Sequence, residues 1–191
     1  MSNSTTIVPL DFKKNREESL AEYFERLDSY FVPENWVNLV GREKPRSPRK
    51  NNDKDWNTFW AQSKSWDHDL FVRKVQAFKH ALNAITLVHP ELDSLNIEYS
   101  GAGDDGSIED VEFYDRKGKV INISSDDLIY KHVAAAGWWI TEDVAPGFEC
   151  DEGGRGEIDM KKDHQSLGEW KCTCHHEQNT ITVSQHDVEM F

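Results

Sequence analysis

The chain has 191 residues, 37% of them hydrophobic and 11% aromatic, and carries a net charge of -13. That apolar content excludes a disordered chain and suffices for one packed domain, while the absence of any window of about 18 apolar residues excludes a membrane-spanning helix. The charge is uneven: residues 1 to 90 hold 14 Lys and Arg against 12 Asp and Glu, for +2, whereas residues 91 to 191 hold 8 against 23, for -15.

A field of that sign repels nucleic acid and anionic membranes and attracts basic protein surfaces or cations. The start, MSNSTTIVPLDFKKN, lacks an apolar run behind a basic one, so a cytoplasmic location is expected. Cys150, Cys172 and Cys174 are an odd number with no secretory context, and reduced thiols are expected.

Leu20, Phe24, Leu27 and Phe31 recur at helical spacing, with Asn15 and Glu18 resembling a capping box and Pro33 a stop. The segment from Gly41 to Lys54 contains two prolines, six basic residues and two acidic ones, and reads as an exposed basic loop, with Ser47 before Pro48 as a candidate modification site. Trp56, Phe59 and Trp60, then Leu70, Phe71, Val75, Phe78, Leu82 and Ile85, predict two helices or one bent helix whose aromatic stripe is core, ended by Pro90.

Beyond Pro90 the period changes to alternation. NIEYS, IEDVEFYD and KVINI read as strands, the last two joined by a hairpin. DDLIYKHVAAAG reads as a short helix closed by Gly137, and WWI, FEC, GEIDM, EWKCTCHH and TITVS as further strands. The expected class is α+β: N-terminal helices packed against an antiparallel β-sheet with one short inserted helix. Residues 1 to 90 form the helical region and 91 to 191 the acidic sheet domain, together one compact unit.

Three stretches carry candidate chemistry. In YSGAGDDGSIEDVEFYD, alternation from Val111 and Phe113 sends Glu109 to the core face and Asp110, Glu112 and Tyr114 to the other. An inward carboxylate beside a glycine-rich turn needs partners, and a clamp on the loop is the favoured reading of Glu109. An EF-hand starting at Asp105 fails, because its glycine position is Asp110 and its terminal Glu is Arg116. In WKCTCHHEQN, Cys172 and Cys174 share a strand face with Trp170 while His175 points away. They read as small core residues, and the alternative is a zinc site that Cys150 or His164 arrives to complete, with Cys150, Cys172, Cys174 and His176 as its ligand set. In GEIDMKK, Asp159 and Lys161 spell a fragment carried by metal-dependent nucleases.

The run LNIEYSGAGDDGSIEDVEFYD, the short helix, GWWITEDVAPGFECDEGGRGEIDM and the late HHEQN together resemble a family of small bacterial and mobile-element proteins catalogued only as a domain of unknown function, over roughly residues 93 to 185. The features that carry the resemblance are Gly101, Gly103, Asp104, Gly106, Ile108 and Glu109, then Gly137 with Trp138, then His175 or His176. Asp105 stands where the family pattern leads one to expect a small residue, and CDEGGRG is a longer insertion than usual. The resemblance implies a plasmid or phage setting and no particular reaction.

The resulting expectation is a non-enzymatic protein without cofactor, engaging a basic protein partner through Asp104, Asp105, Glu109, Asp110, Glu112 and Trp138, as a phage or plasmid accessory or anti-defence factor would. No direct contact with nucleic acid or membrane is expected. The alternative is a hydrolase or nuclease-like enzyme using Mg or Zn, with Asp104, Glu109, Asp159, Lys161 and His175 as its catalytic set.

Overall fold

In the computed structural model, residues 11–48, 53–150, 153–166 and 169–178 are described. Ser19 starts α1 (Leu20–Phe31): its hydroxyl accepts from the Glu22 amide, and the Glu22 carboxylate accepts from the Ser19 amide. This capping box lies one turn beyond the expected one. Asn15 and Glu18 form a separate turn, in which the Asn15 amide donates to the Glu18 carboxylate. Glu18 also pairs with Arg26 at 2.8 Å, and that guanidinium holds its carboxyl at a pKa of about 2.

A carboxyl lowered from 4.5 to about 2 on folding contributes stability that is fully present above pH 4.5 and lost as pH falls toward 2. Urea unfolding of a Glu18→Gln variant should therefore show a shallower loss of stability over that interval than the parent protein. Identical slopes would remove Glu18 from the acid response.

A 3-10 turn (Pro33–Asn35) and α2 (Trp36–Val40) follow, ended by Gly41 at φ 78°. The expected loop is partly laid down on the next helix, with Arg42 pairing with Asp69 at 2.6 Å and Lys44 with Asp67 at 3.6 Å. Residues 49–52 lie outside the described residues, and Asp53 and Lys54 already belong to α3.

α3 (Asp53–Ile85) is one helix of 33 residues, the single-helix form of the two that the periodicity allowed, and spans about 50 Å. Its stripe is buried at Trp66, Leu70, Ala77, Phe78, Ala81, Leu82 and Ile85. The expectation of a buried stripe fails at its first turns: Trp60 is 62% exposed, and Trp56, Phe59 and Trp60 pack on one another. Periodicity reports a common face, and only the neighbouring elements decide how far that face is covered.

The sheet is antiparallel throughout, in the order β3-β2-β1-β4-β5, with β1 (Leu92–Ala102), β2 (Asp105–Asp115), β3 (Val120–Ile121), β4 (Gly154–Lys162) and β5 (Trp170–Gln178). Between β3 and β4 lies α4 (Leu128–Val144), opened by the Asp127 side chain, which accepts from the Ile129 amide. The predicted strand at WWI is instead helix, and Gly137 is interior to α4 and does not close it. A Cβ on Gly137 would stand 2.9 Å from Ile97 Cγ2, so the glycine permits close approach of helix to sheet. FEC forms a turn and no strand, with Phe148 buried against Tyr99 and Trp138. TITVS lies outside the described residues.

The helices cover one face of the sheet, giving the expected α+β architecture. One core cluster runs from Phe12 through α1, α3 and α4 to Trp170, whose indole donates to Asn83 of α3 at 2.9 Å. Within the helical layer a buried Lys74 reaches Asp143 of α4 at 2.6 Å and lies 5.0 Å from the Trp36 ring. Burial pushes the Asp143 carboxyl up, and Lys74 opposes that shift.

Candidate functional site

The opening of the β1–β2 hairpin shows what the glycine-rich stretch does. Strand β1 stops at Ala102 and β2 starts at Asp105, so Gly103 (φ 64°) and Asp104 (φ 69°) form a two-residue turn with both φ values positive. Such a turn matches strand twist and favours glycine and aspartate. The Asp104 amide donates to the Glu149 carbonyl at 2.7 Å. Gly101 and Gly106 lie across from one another, and a Cβ on either would press into Phe148 or Glu149. The stretch is a tight hairpin docked on the α4–β4 connection.

Glu109 corrects the alternation argument. Glu98 pairs with Asp110 and Tyr99 with Ile108, so Glu109 is the extra residue of a β-bulge. The bulge resets the parity: Ile108 joins Val111 and Phe113 against the core, and Glu109 is exposed on the opposite, uncovered face. There it accepts from the hydroxyls of Ser100 and, at 2.7 Å, Ser107. Those two hydrogen bonds, Ser100 first, hold its carboxyl below the usual range. It is thus a clamp on hydroxyls of the hairpin.

The uncovered face is built in cross-strand rows. One row runs Asp110, Glu98, Glu157, His175 across β2, β1, β4 and β5; the next runs Glu112, Asn96, Asp159, Thr173; the one on the hairpin side runs Ser107, Ser100, Arg155, Glu177. Three acidic residues at neighbouring positions of one row are an unfavourable arrangement, since like charges directly opposite destabilise a sheet, although the Asp110 carboxylate is drawn aside, accepting from the Val111 amide at 2.7 Å and from the Tyr130 hydroxyl of α4 at 3.4 Å. Glu98 makes no hydrogen bond or ion pair among the described residues. Glu157 receives only a long one from Asn96 at 3.4 Å, while Asn96 donates to Asp159 at 3.0 Å. Arg155 is occupied by Glu177 at 3.0 Å, and Lys161 and Lys171 sit at the far end, opposite each other. A depression of about 520 Å³ lies over this row, lined by Glu98, Glu109, Arg155, Glu157, His175 and Glu177.

Of the residues singled out from the sequence, Glu109 and Glu112 lie on this face, Asp110 heads the acidic row but turns its carboxylate to the Tyr130 hydroxyl of α4, Asp105 lines an adjoining recess with Ser107 and Arg155, and Asp104 occupies the hairpin tip. Trp138 lies on α4, on the other side of the sheet, packed edge-on to Phe148. Asp159 and His175 are 4.0 Å apart, whereas Lys161 faces Lys171 and Asp104 lies at the hairpin end of the sheet. Cys172 and Cys174 share the core-side face with Trp170, as the alternation implies, and His176 with them; Cys150 is exposed in the turn after Phe148. Among the described residues no three His, Cys, Asp or Glu side chains converge as a metal-ligand set.

The sequence reading missed Glu98, Glu157, Arg155 and Glu177. Each sat at an outward position of a correctly expected strand or its extension, but which strands lie side by side is invisible to alternation. It also missed the support under the face: Gly156 admits the Tyr99 ring, whose hydroxyl meets His176 Nδ1 at 3.0 Å with the two rings nearly parallel at 6°.

The geometry defines an α+β protein with one sheet face covered by helices and the other open and acidic. No protein family, no curated protein and no solved structure matches the chain.

Proposed function

We propose that the protein is a non-enzymatic binding module whose open sheet face engages a basic surface of another protein, in the setting of a phage or plasmid accessory or anti-defence factor. One observation carries this reading: Glu98 stands between Asp110 and Glu157 in the cross-strand row, and its carboxylate has no hydrogen-bond or ion-pair partner among the described residues. A row of three adjacent acids costs the free protein stability, and a Lys- or Arg-rich segment laid across it would relieve that cost and form charge-assisted hydrogen bonds. Sequence-wide charge supports the same sign of partner, because the half bearing the sheet carries -15. The bulge at Glu109 and the serine hydroxyls on it add a preset carboxylate to the rim of the depression.

The test is titration of the protein with a labelled oligolysine peptide, beside an oligoglutamate peptide and a DNA duplex, across a range of ionic strength. Saturable binding of oligolysine alone is expected, weakening steeply as salt rises. A control variant that removes acids elsewhere, Glu25→Gln with Asp126→Asn, should bind as the parent does. Equal weakening by that control would show diffuse charge attraction and sink the proposed face.

A further inference from the structure

Cys172 and Cys174 project from the same side of β5, half-buried, with Sγ atoms 3.8 Å apart. Two sulfurs bound to one metal at about 2.3 Å lie about 3.8 Å apart at a tetrahedral angle and about 4.0 Å apart at a trigonal one, so the thiols already stand close to the spacing of two ligands of one ion. Met160 of β4 is directly opposite Cys172 on that side and fully buried; such opposed residues have Cβ atoms about 4.5–5.5 Å apart. The residue that faces Cys172 across the two strands therefore carries a third soft donor atom, a thioether. The harder donors of the two strands, Asp159, Thr173 and His175, alternate to the open face. His176 shares the sulfur side, but its Nδ1 is engaged by the Tyr99 hydroxyl.

The donor set decides the class of ion. Calcium and magnesium need oxygen ligands, and a structural zinc site needs four nitrogen or sulfur ligands, which no cluster among the described residues supplies. Thiolate and thioether donors select soft ions such as Cu(I). We propose that Cys172 and Cys174, adjoined by Met160, form a binding site for Cu(I), independent of the acidic face on the other side of the sheet. Both thiols lose their protons to the solvent on binding and the ion keeps its oxidation state; in the metal-free protein the neighbouring Cys174 sulfur and burial push the Cys172 thiol up, with Lys79 opposing them.

The experiment is an anaerobic titration of the reduced protein with Cu(I) against a chromophoric Cu(I) chelator. One equivalent should be withdrawn from the chelator with release of two protons, and X-ray absorption should report a shell of sulfur alone. Cys172→Ser and Cys174→Ser should each weaken uptake at least ten-fold, Met160→Leu less, and Cys150→Ser not at all. Proton release and the sulfur shell are read on the parent protein, so they stand if a cysteine variant fails to fold. No uptake, uptake insensitive to both serine variants, loss of uptake in Cys150→Ser, or a nitrogen and oxygen shell would each overturn the site.

Discussion

Lys74→Met is expected to destabilise the protein by about 3–5 kcal/mol, the cost of leaving one member of a buried ion pair without its partner. Lys74 is only 3% exposed and lies 2.6 Å from Asp143, in the layer where α3 meets α4, with Trp36 of α2 beside it. Removing the ammonium leaves a carboxylate that burial already pushes toward its neutral form. The deficit should shrink as pH falls, because a raised carboxyl pKa means that the folded state binds the proton more readily than the unfolded one. The double variant Lys74→Met, Asp143→Leu should recover most of the loss, since well-packed apolar residues replace a buried pair at little cost. Urea unfolding of the three variants checks this. A single variant within about 1 kcal/mol of the parent, or a double variant as unstable as the single, would show that the pair is not the tie between the two helices.

Glu98→Gln combined with Glu157→Gln is expected to move stability and binding in opposite directions. Each like-charge cross-strand contact removed should return a few tenths of a kcal/mol, and the two contacts in this row, Asp110 with Glu98 and Glu98 with Glu157, together about 1 kcal/mol. The same variant should lose at least ten-fold in affinity for oligolysine, because it removes the unpaired carboxylate and its neighbour from the depression. A purely structural role for these acids predicts that stability and binding fall together or that neither changes. Thermal unfolding read beside fluorescence anisotropy distinguishes the outcomes, and a variant that is less stable yet binds as before would remove the acidic row from the binding reading.

Much of the fold was legible because it rests on local patterns. The 3.6 period of Leu20, Phe24, Leu27 and Phe31 and the alternation of NIEYS and GEIDM report which side of an element is apolar, whatever it packs against. The failures share a cause. WWI reads as a strand by its apolar residues, but it continues α4 because Gly137 lets that helix lie on Ile97, a contact supplied by a strand about forty residues earlier. Glu109 was sent to the wrong face because one bulge shifts every later parity, and a bulge is a property of two paired strands.

The site follows the same division. By itself the sequence determined the α+β class, the concentration of negative charge after residue 90, and the shared face of Cys172, Cys174 and Trp170, all of which depend on composition or on spacing along one element. Only the tertiary structure decided that Asp110, Glu98 and Glu157 form one row and that Met160 stands opposite the cysteines. Those adjacencies come from the order β3-β2-β1-β4-β5 and its register, which are set by how the apolar face of the sheet is buried against α4 and α3 and are written in no single segment.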